Sequence, residues 1–401
     1  MGGWFGSTAN KGNIFLNILF FIRSLGSGGA ERQLVNLAIG LKERGHEISV
    51  VTMYSGGVFE HTLRATAIPI YCLEKARRWQ VLSPLIQLQK IVQMVQPDIL
   101  HSYGPETNVF LVLHRLFFKK YLLVWGVRVA DLPRKMYGQF ESFLYWFECR
   151  WSRVPDLVIS NSEAGKNLSI KDGFDKSRIK VIQNGIDTDE YRPDSELRNQ
   201  FRARMGLAAE IKVIGIVGRI DPQKDHQTFI EAVSLLPDHQ KAEVAIICVG
   251  FRNEQEIRAL REQVKSLGLE QRFIWLKRES STVTVLNGLD ILVSSSISEG
   301  FSNVIAEGLA VGLPCVVTDV GDSKLIVSEY GVVVPRKDPQ ALADGISQML
   351  LDSRLRNDPF SEAARNHIVS KFSIDILVSN TETTLQRLID EGSPYVRTEK
   401  K

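Results

Sequence analysis

Residues 13–44 read NIFLNILFFI, then RSLGSGG, then AERQLVNLAIGLKER, and this stretch contains the repeating unit of the fold. The run Asn13–Ile22 is almost wholly apolar, which predicts a strand buried on both faces inside a parallel sheet. The glycines that follow predict a loop. A helix is predicted over Ala30–Arg44, ended by Gly45. Its buried face is formed by Leu34, Leu37, Ala38 and Leu41.

Beyond this unit, strand and helix patterns alternate in two further series. The first predicts a helix at Leu82–Val95 and strands at Glu47–Met53, Ile68–Cys72, Ile99–Ser102, Leu122–Val127, Leu157–Ser160 and Lys180–Gln183. The second predicts strands at Val213–Gly218, Val244–Gly250, Phe273–Leu276, Ile291–Ser294, Pro314–Thr318 and Val332–Val334, and helices at Gln227–Leu236, Glu254–Leu267, Asn303–Val311 and Pro339–Leu351. We therefore expect an α/β fold of two Rossmann-like, doubly wound parallel-sheet domains that face each other across a cleft.

The two series meet at a polar helical stretch, Ser195–Arg204, where we place the linker. The predicted N-terminal domain spans residues 13–200 and the C-terminal domain spans 201–372, after a disordered tail at 1–12. Amphipathic Ile374–Ile389 predicts a last helix, within 373–390, that packs back on the N-terminal domain.

Composition excludes several classes of protein. Of the 401 residues, 44% are apolar and 24% are charged, which allows sizeable cores and excludes a mainly disordered chain. The four cysteines, Cys72, Cys149, Cys248 and Cys315, are far apart, which favours reduced thiols in a cytoplasmic protein over disulfides or a zinc site. Residues 1–155 carry a net charge of +8 and the rest −5. The basic first part is suited to binding an anionic partner, and the alternative is that its basic residues are simply solvated.

The first glycine loop contains Gly26, Gly28 and Gly29 at the start of a predicted helix. Glycines let a backbone approach a ligand, and a helix N-terminus favours negative charge. Position 31 is glutamate and no Gly-Lys-Ser/Thr follows, so neither a dinucleotide fingerprint nor a P-loop is present. Gly28 and Gly29 are candidates for a phosphate or acceptor loop, and a tight turn without a ligand explains them equally well.

Two later segments offer groups that suit a diphosphate sugar. Arg219 follows Gly218 at a strand end and Lys224 follows a proline turn, so these cations can clamp a diphosphate or can be ordinary surface charges. Glu299 and Glu307 lie eight residues apart, about 12 Å along a helix, which matches the span from a sugar to a ribose. Their carboxylates can accept hydrogen bonds from hydroxyls. The alternative is that Glu299 caps the N-terminus of the helix and that Glu307 is an exposed glutamate on the same helix.

Together these motifs resemble the retaining, nucleotide-sugar-dependent glycosyltransferases of family 4 (glycosyl transferases group 1), which have the GT-B fold. The resemblance covers nearly all of residues 13–390. It rests on Gly28-Gly29-Ala30-Glu31, Asn184–Asp187 with Tyr191 and Pro193, Gly218-Arg219 with Lys224, the E-x7-E pair Glu299 and Glu307, and Thr318–Asp322 after Gly312-Leu313-Pro314. It implies a catalytic role for Glu299, as a sugar-positioning group, and donor binding by Gly218, Arg219, Lys224, Gly300, Phe301, Ser302, Asn303 and Glu307.

The resemblance also bears on the histidine and on the mechanism. Many family members carry His-x-His where this chain has His101-Ser102-Tyr103, and one histidine meets the donor sugar. His101 is therefore a candidate catalytic residue, with a buried strand histidine as the equal alternative. No Asp-x-Asp pair stands at a strand end, so we expect no metal and no cofactor, with Arg219, Lys224 and the helix dipole stabilising the leaving diphosphate. The resemblance implies retention by front-face attack, in which the leaving phosphate accepts the acceptor's proton.

The expected substrates are a UDP- or GDP-sugar and a glycan or lipid-linked acceptor, bound by the basic N-terminal domain during surface polysaccharide or glycoconjugate biosynthesis. Basic and aromatic residues alternate in Arg77–Trp79, Leu116–Tyr121 and Phe143–Arg153, which predicts peripheral contact with the inner face of the membrane. A core helix is the alternative for the third stretch. A non-catalytic or epimerase-like sugar-nucleotide-binding protein of the same architecture, or a phosphorylase, is the competing class. No motif supports nucleic-acid binding.

Overall fold

The computed structural model describes residues 15–75, 80–118, 120–128, 138–277, 281–352 and 358–391. The predicted tail at 1–12 lies outside these ranges. Two parallel sheets organise the chain, each covered by helices on both faces. The predicted α/β class, with two doubly wound parallel-sheet domains, is confirmed.

The N-terminal domain is built on the first sheet. Its strands are β1 (Asn17–Ile22), β2 (Glu47–Thr52), β3 (Ile70–Cys72), β4 (Ile99–Tyr103), β5 (Leu122–Val127), β6 (Leu157–Ser160) and β7 (Ile179–Val181). Its helices are α1 (Gly29–Glu43), α2 (Glu60–Ala65), α3 (Leu82–Val95), α4 (Pro105–Phe117), α5 (Gln139–Trp151) and α6 (Glu163–Lys171). The strand order is β3-β2-β1-β4-β5-β6-β7. Helix α3 and strands β5 and β6 have the predicted bounds, because each is one uninterrupted pattern between clear breaks.

The C-terminal domain is built on the second sheet. Its strands are β8 (Lys212–Val217), β9 (Val244–Phe251), β10 (Phe273–Lys277), β11 (Ile291–Ser294), β12 (Cys315–Thr318) and β13 (Gly331–Val334). The helices after α6 are α7 (Ser195–Arg204), α8 (His226–Leu235), α9 (Asp238–Ala242), α10 (Glu254–Ser266), α11 (Thr282–Gly288), α12 (Asn303–Ala310), α13 (Ser323–Val327), α14 (Pro339–Leu351), α15 (Asp358–Phe372) and α16 (Ile374–Asp390). The strand order is β10-β9-β8-β11-β12-β13.

Each sheet reverses its winding direction at one point, between β1 and β4 in the first and between β8 and β11 in the second. Ligands of open α/β sheets bind at such a reversal, outside the carboxyl ends of the strands. The segments after β1 and β7 approach the one after β11, since Gly29 lies beside Asn303 and Asn184 bonds to Asn303. The fold therefore places two potential binding edges against each other.

The chain crosses between the domains twice, and the crossings run side by side. The N–H of Ile186 donates to Phe372 O at 2.7 Å, and the N–H of Ile374 donates to Ile186 O at 3.0 Å. Helix α16 then packs on α1, where Val378 lies against Gly40. Helix α7, which the predicted boundary at residue 200 divides, lies as a whole on the C-terminal domain, since Phe201 is buried in its core. The crossing thus precedes the predicted linker.

Candidate active site

Lys224 and Glu299 form the charged centre of the cleft. Lys224 Nζ donates to Glu299 Oε1 at 2.5 Å, and Ser296 Oγ donates to the same oxygen at 2.8 Å. Gly218 lies beside this pair, since a Cβ there would be 3.4 Å from Lys224 Cε. The structure therefore brings together the predicted cation and the predicted sugar-positioning carboxylate, although 75 residues separate them.

Arg219, the second predicted clamp residue, is not part of this centre. Its side chain is 72% exposed and its Nη2 lies 3.4 Å from Asp221 Oδ2. An exposed ion pair of this kind contributes little to stability. The guanidinium is thus free to move to a diphosphate at small cost, whereas Lys224 is already held in place.

The turn from Gly300 to Asn303 leads into α12. Phe301 is buried against Phe372, with ring centroids 5.4 Å apart, so it anchors the turn in the core. Ser302 is the N-cap residue of α12, and its buried Oγ has no hydrogen-bond partner among the described residues. The free N–H groups of the first turn of α12 give this end a partial positive charge. Gly300 to Asn303 therefore form the turn at this positive end of α12, and their part in phosphate binding stays a prediction.

Glu307 reaches across the cleft to the N-terminal domain. Its Oε1 accepts from Arg32 Nη1 at 2.8 Å, and the same nitrogen donates to Tyr191 Oη at 3.2 Å. Burial raises the pKa of Glu307 to about 7, although Arg32 and Lys224 oppose the shift. Burial is the largest influence on the pKa of Arg32 and lowers it, but Glu307, Tyr191 and further neighbours together outweigh burial, so the pKa is raised. A buried carboxylate is costly unless it is paired, and Arg32 is the partner of this one.

The first glycine loop lies directly opposite α12. Gly28 is the N-cap residue of α1, and a Cβ there would lie 2.1 Å from Glu31 Oε2. A Cβ on Gly29 would lie 3.3 Å from Asn303 Nδ2. Both glycines thus lie close to a side chain, the first to one of its own helix and the second to one of the opposite domain.

His101 is placed inside the N-terminal domain rather than at the cleft surface. It is buried between Phe20 and Tyr103, with ring centroids 5.4 and 4.8 Å away. Neither ring nitrogen has a hydrogen-bond partner among the described residues. Burial, with a contribution from the charge of Arg128, lowers the pKa of His101 to about 3, so the ring is neutral. The structure does not bring His101 to Glu299 or Lys224, and its catalytic role stays a prediction.

Arg128 is a cleft residue that the sequence analysis did not identify. It directly follows β5, its guanidinium stacks 4.7 Å from the Tyr103 ring centroid, and its Nη1 donates to Asn184 Oδ1 at 2.7 Å. Asn184 Nδ2 in turn donates to Asn303 Oδ1 at 2.7 Å. Burial lowers the pKa of Arg128, against the influence of Tyr103 and Glu31. Its position at the carboxyl end of a central strand was the signal available in the sequence.

Asp322, in the loop after β12, makes a second contact between the domains. Its Oδ2 accepts from the N–H of Glu163 at 2.9 Å, and its Oδ1 accepts from the N–H of Ala164 at 3.0 Å. These are the first two N–H groups of α6 in the N-terminal domain. The sequence analysis noted Asp322 only within a family motif and gave it no role.

The described ranges contain neither a metal-binding cluster nor a membrane-spanning helix. Among those residues, no His, Cys, Asp and Glu side chains cluster in threes so as to hold a metal ion. In the same ranges, no helix combines the length and the apolar composition needed to cross a bilayer. All four cysteines are free thiols; Cys248 and Cys315 are buried, and Cys72 and Cys149 are partly exposed.

The fold and the cleft define a class of protein, and two family models match the chain. Residues 27–190 match Glycosyltransferase Family 4, and residues 198–367 match Glycosyl transferases group 1. The chain therefore belongs to the group 1 glycosyltransferases and is an enzyme of the glycosyltransferase class. The family and enzyme class expected from the motifs are confirmed.

Individual relatives are more distant. The chain is 24% identical over 346 residues to the UDP-Gal:alpha-D-GlcNAc-diphosphoundecaprenol alpha-1,3-galactosyltransferase of Escherichia coli, across 82% of this chain and 86% of that one. It is 30% identical over 214 residues to the D-inositol 3-phosphate glycosyltransferase of Corynebacterium urealyticum, across 50% of each chain. The chain thus spans only about half the length of that relative.

Solved structures show the same architecture. The Anabaena protein HepE in complex with UDP-glucose superimposes with a TM-score of 0.80 at 23% identity, covering 93% of this chain and all of that chain. WaaG, a glycosyltransferase involved in lipopolysaccharide biosynthesis, superimposes with a TM-score of 0.67 at 16% identity, over 92% of this chain and 99% of that one. At these identities the likeness shows the GT-B fold alone.

Proposed function

We propose that this enzyme transfers a sugar from a UDP- or GDP-sugar to a hydroxyl of a glycan or lipid-linked acceptor, with retention and without a metal. The observation that carries the proposal is the pairing of Lys224 with Glu299 beside the N-terminus of α12, with Glu307 about one turn further along that helix. This arrangement offers positive charge to a diphosphate between two hydrogen-bond acceptors for hydroxyls. HepE, which shares the fold, has been solved with UDP-glucose.

In this proposal each group has a separate task. Lys224 and the first N–H groups of α12 stabilise the diphosphate as it leaves. Glu299, held by Ser296 as well as by Lys224, accepts hydrogen bonds from the sugar, and Glu307 accepts them from the ribose. The leaving phosphate takes the proton of the attacking hydroxyl, as the family resemblance implies. Arg219 joins the diphosphate by leaving its exposed contact with Asp221.

We place the acceptor on the N-terminal domain, with that domain at the inner face of the cytoplasmic membrane. Phe143 and Trp146 on α5 are 54% and 60% exposed, and Arg150 continues the same side of the helix. Exposed Arg153 follows just after the helix ends. Exposed aromatic rings followed by cations suit an anionic lipid surface. The E. coli relative is named for a diphosphoundecaprenol-linked acceptor. Of the other two stretches predicted to touch a membrane, Arg77–Trp79 and residue 119 lie outside the described ranges.

A donor screen tests the central proposal. UDP- and GDP-sugars are offered to the wild type and to Glu307→Ala, with EDTA present, and binding and hydrolysis are measured. One donor is expected to bind and turn over in EDTA and to weaken at least tenfold in the variant. Glu262→Ala removes an exposed glutamate of α10 and is the matched control.

Other results of the screen separate the competing proposals. Activity abolished by EDTA contradicts the metal-free mechanism. Epimerised nucleotide sugar without transfer identifies the epimerase-like alternative. A folded protein that binds no nucleotide sugar contradicts donor binding and leaves a non-catalytic protein.

Sedimentation with vesicles tests the membrane contact. We expect the wild type to bind vesicles that contain anionic phospholipid. The Phe143→Ser/Trp146→Ser variant is expected to bind the same vesicles at least tenfold more weakly. Leu351→Ser removes a side chain that is 72% exposed on the C-terminal domain and is the matched control. Equal losses in both variants, or no binding by the wild type, would contradict the proposed contact.

A further inference from the structure

The two domains touch on both sides of the turn that carries Glu299. On one side, Arg32 pairs with Glu307 and Asn184 with Asn303. On the other side lies Asp322, in the loop between β12 and α13. The turn at Glu299 is thus held between two interdomain contacts, of which only the first involves residues predicted to bind donor.

Asp322 is tied to the Glu299 turn through its backbone. Its N–H donates to Gly300 O at 2.9 Å. The preceding residue, Gly321, has a φ of +57°, and a Cβ there would lie 2.4 Å from Glu299 O and 2.5 Å from Gly300 O. Only glycine allows this approach, because any side chain would collide with backbone. The loop after β12 therefore forms a close support beneath the turn that carries Glu299.

The carboxylate of Asp322 is tied to the opposite domain. Helix α6 begins with three N–H groups that lack helical partners: those of Glu163 and Ala164 donate to Asp322, and that of Gly165 donates to Ser162 Oγ. Two of the three are satisfied only by a residue of the other domain. Asp322 is itself 4% exposed, and a buried carboxylate at a helix N-terminus gains from the helix dipole. One residue therefore joins the Glu299 turn to the acceptor domain.

We propose that Asp322 is a positioning residue that docks α6 against the Glu299 turn and so fixes the distance between donor and acceptor in the closed enzyme. This inference rests on the proposed function, because it presumes a donor on the turn and an acceptor on the N-terminal domain. Asp322 need not touch either substrate. It acts through Gly300 on the donor side and through α6 on the acceptor side.

Two substitutions break the contact from opposite domains. Asp322→Asn leaves one carbonyl acceptor and turns an amide N–H₂ toward a backbone donor. Glu163→Pro removes the N–H that Asp322 accepts, at the first position of a helix, where proline is favoured. The preceding Ser162 is extended, with φ −154° and ψ 151°, as a residue before proline must be. Glu163→Ala removes the same side chain and keeps the N–H. Comparing Glu163→Pro with Glu163→Ala therefore measures the effect of losing the N–H alone.

The expected result separates positioning from donor binding. In Asp322→Asn, kcat for transfer is expected to fall about tenfold to a hundredfold, while the Kd of the donor sugar changes less than twofold, since donor groups stay in place. Glu163→Pro is expected to lower kcat relative to Glu163→Ala. The Asp322→Asn/Glu163→Pro double variant should be no slower than the slower single variant, because both remove one contact. A donor Kd that weakens as much as kcat falls, or additive losses, would overturn the proposal.

Amide hydrogen exchange tests the contact without any assay of transfer. The Glu163 and Ala164 amides are expected to exchange at least tenfold faster in Asp322→Asn than in wild type, with β6 unchanged. Unchanged exchange overturns the contact whatever the enzyme transfers. A wild type that transfers no sugar would contradict the proposed function, and the exchange comparison would still decide whether Asp322 holds α6.

Discussion

Glu307 is expected to make donor binding depend on pH. Burial raises its pKa to about 7 from the usual 4.5, which at about 1.36 kcal/mol per tenfold corresponds to roughly 3 kcal/mol. Because the pKa in the fold is the higher one, protonation favours the fold. This contribution is complete below about pH 4.5 and is lost as the pH rises through about 7. Ionised Glu307, which is the form that can accept hydrogen bonds from a ligand, thus lowers the stability of the folded protein.

The same titration sets the affinity for the donor. A ribose hydroxyl donates to a carboxylate, so only ionised Glu307 accepts both ribose hydroxyls. With a pKa of about 7, roughly 3% of Glu307 is ionised at pH 5.5 and roughly 90% at pH 8. The affinity for the donor sugar should therefore rise roughly thirtyfold across this range in the wild type. In Glu307→Gln the affinity should be low and nearly independent of pH.

Calorimetric titration with the donor sugar between pH 5.5 and 8 checks this. The sugar nucleotide is a diester and lacks the phosphate ionisation near pH 6 that a monoester has, so the ligand does not contribute. His101 in β4 and His226 at the start of α8 have pKa values lowered by burial to about 3 and about 4 and stay neutral throughout. A thirtyfold rise that persists in Glu307→Gln would refute the reasoning, and so would a flat wild-type profile.

Three further predictions concern residues around this carboxylate. Arg32→Met removes the cation that opposes the high pKa of Glu307, so the midpoint of the same titration should move to higher pH; an unchanged midpoint would show that the pair is absent in solution. Lys224→Gln should lower kcat by about 10²- to 10³-fold in steady-state assays, and an effect on KM alone would assign it to ground-state binding. His101→Leu replaces a ring whose nitrogens lack described partners, so kcat should stay within twofold and the Tm should not fall. A loss of kcat at unchanged Tm would make His101 catalytic.

The sequence predicted those parts of the cleft that depend on local pattern. Lys224 and Glu299 follow the strands β8 and β11, and these strands are adjacent, so their carboxyl ends had to meet. The helix over α12 follows from its apolar spacing and from the Gly-Leu-Pro that ends it. A motif of this kind predicts a turn and the end of the strand that the turn follows.

The orientation of His101 and the interdomain contacts were beyond such reasoning. Strand β4 is buried on both faces, so apolar alternation does not tell which face His101 occupies. Arg32 and Glu307 are 275 residues apart, and Asp322 and Ala164 are 158 apart. These pairs depend on how one domain is set against the other, which no pattern within a domain encodes.

The Arg32–Glu307 pair connects donor binding to the closing of the cleft. A carboxylate has two oxygens, and Oε1 of Glu307 holds Arg32 of the N-terminal domain. A ribose that bonds Glu307 favours its ionised form, and ionisation strengthens the pair with Arg32. By linkage, a ligand that strengthens the Arg32–Glu307 pair must strengthen donor binding by the same factor. A bound acceptor that strengthens this pair should therefore tighten the donor most below pH 7, where Glu307 would otherwise be protonated.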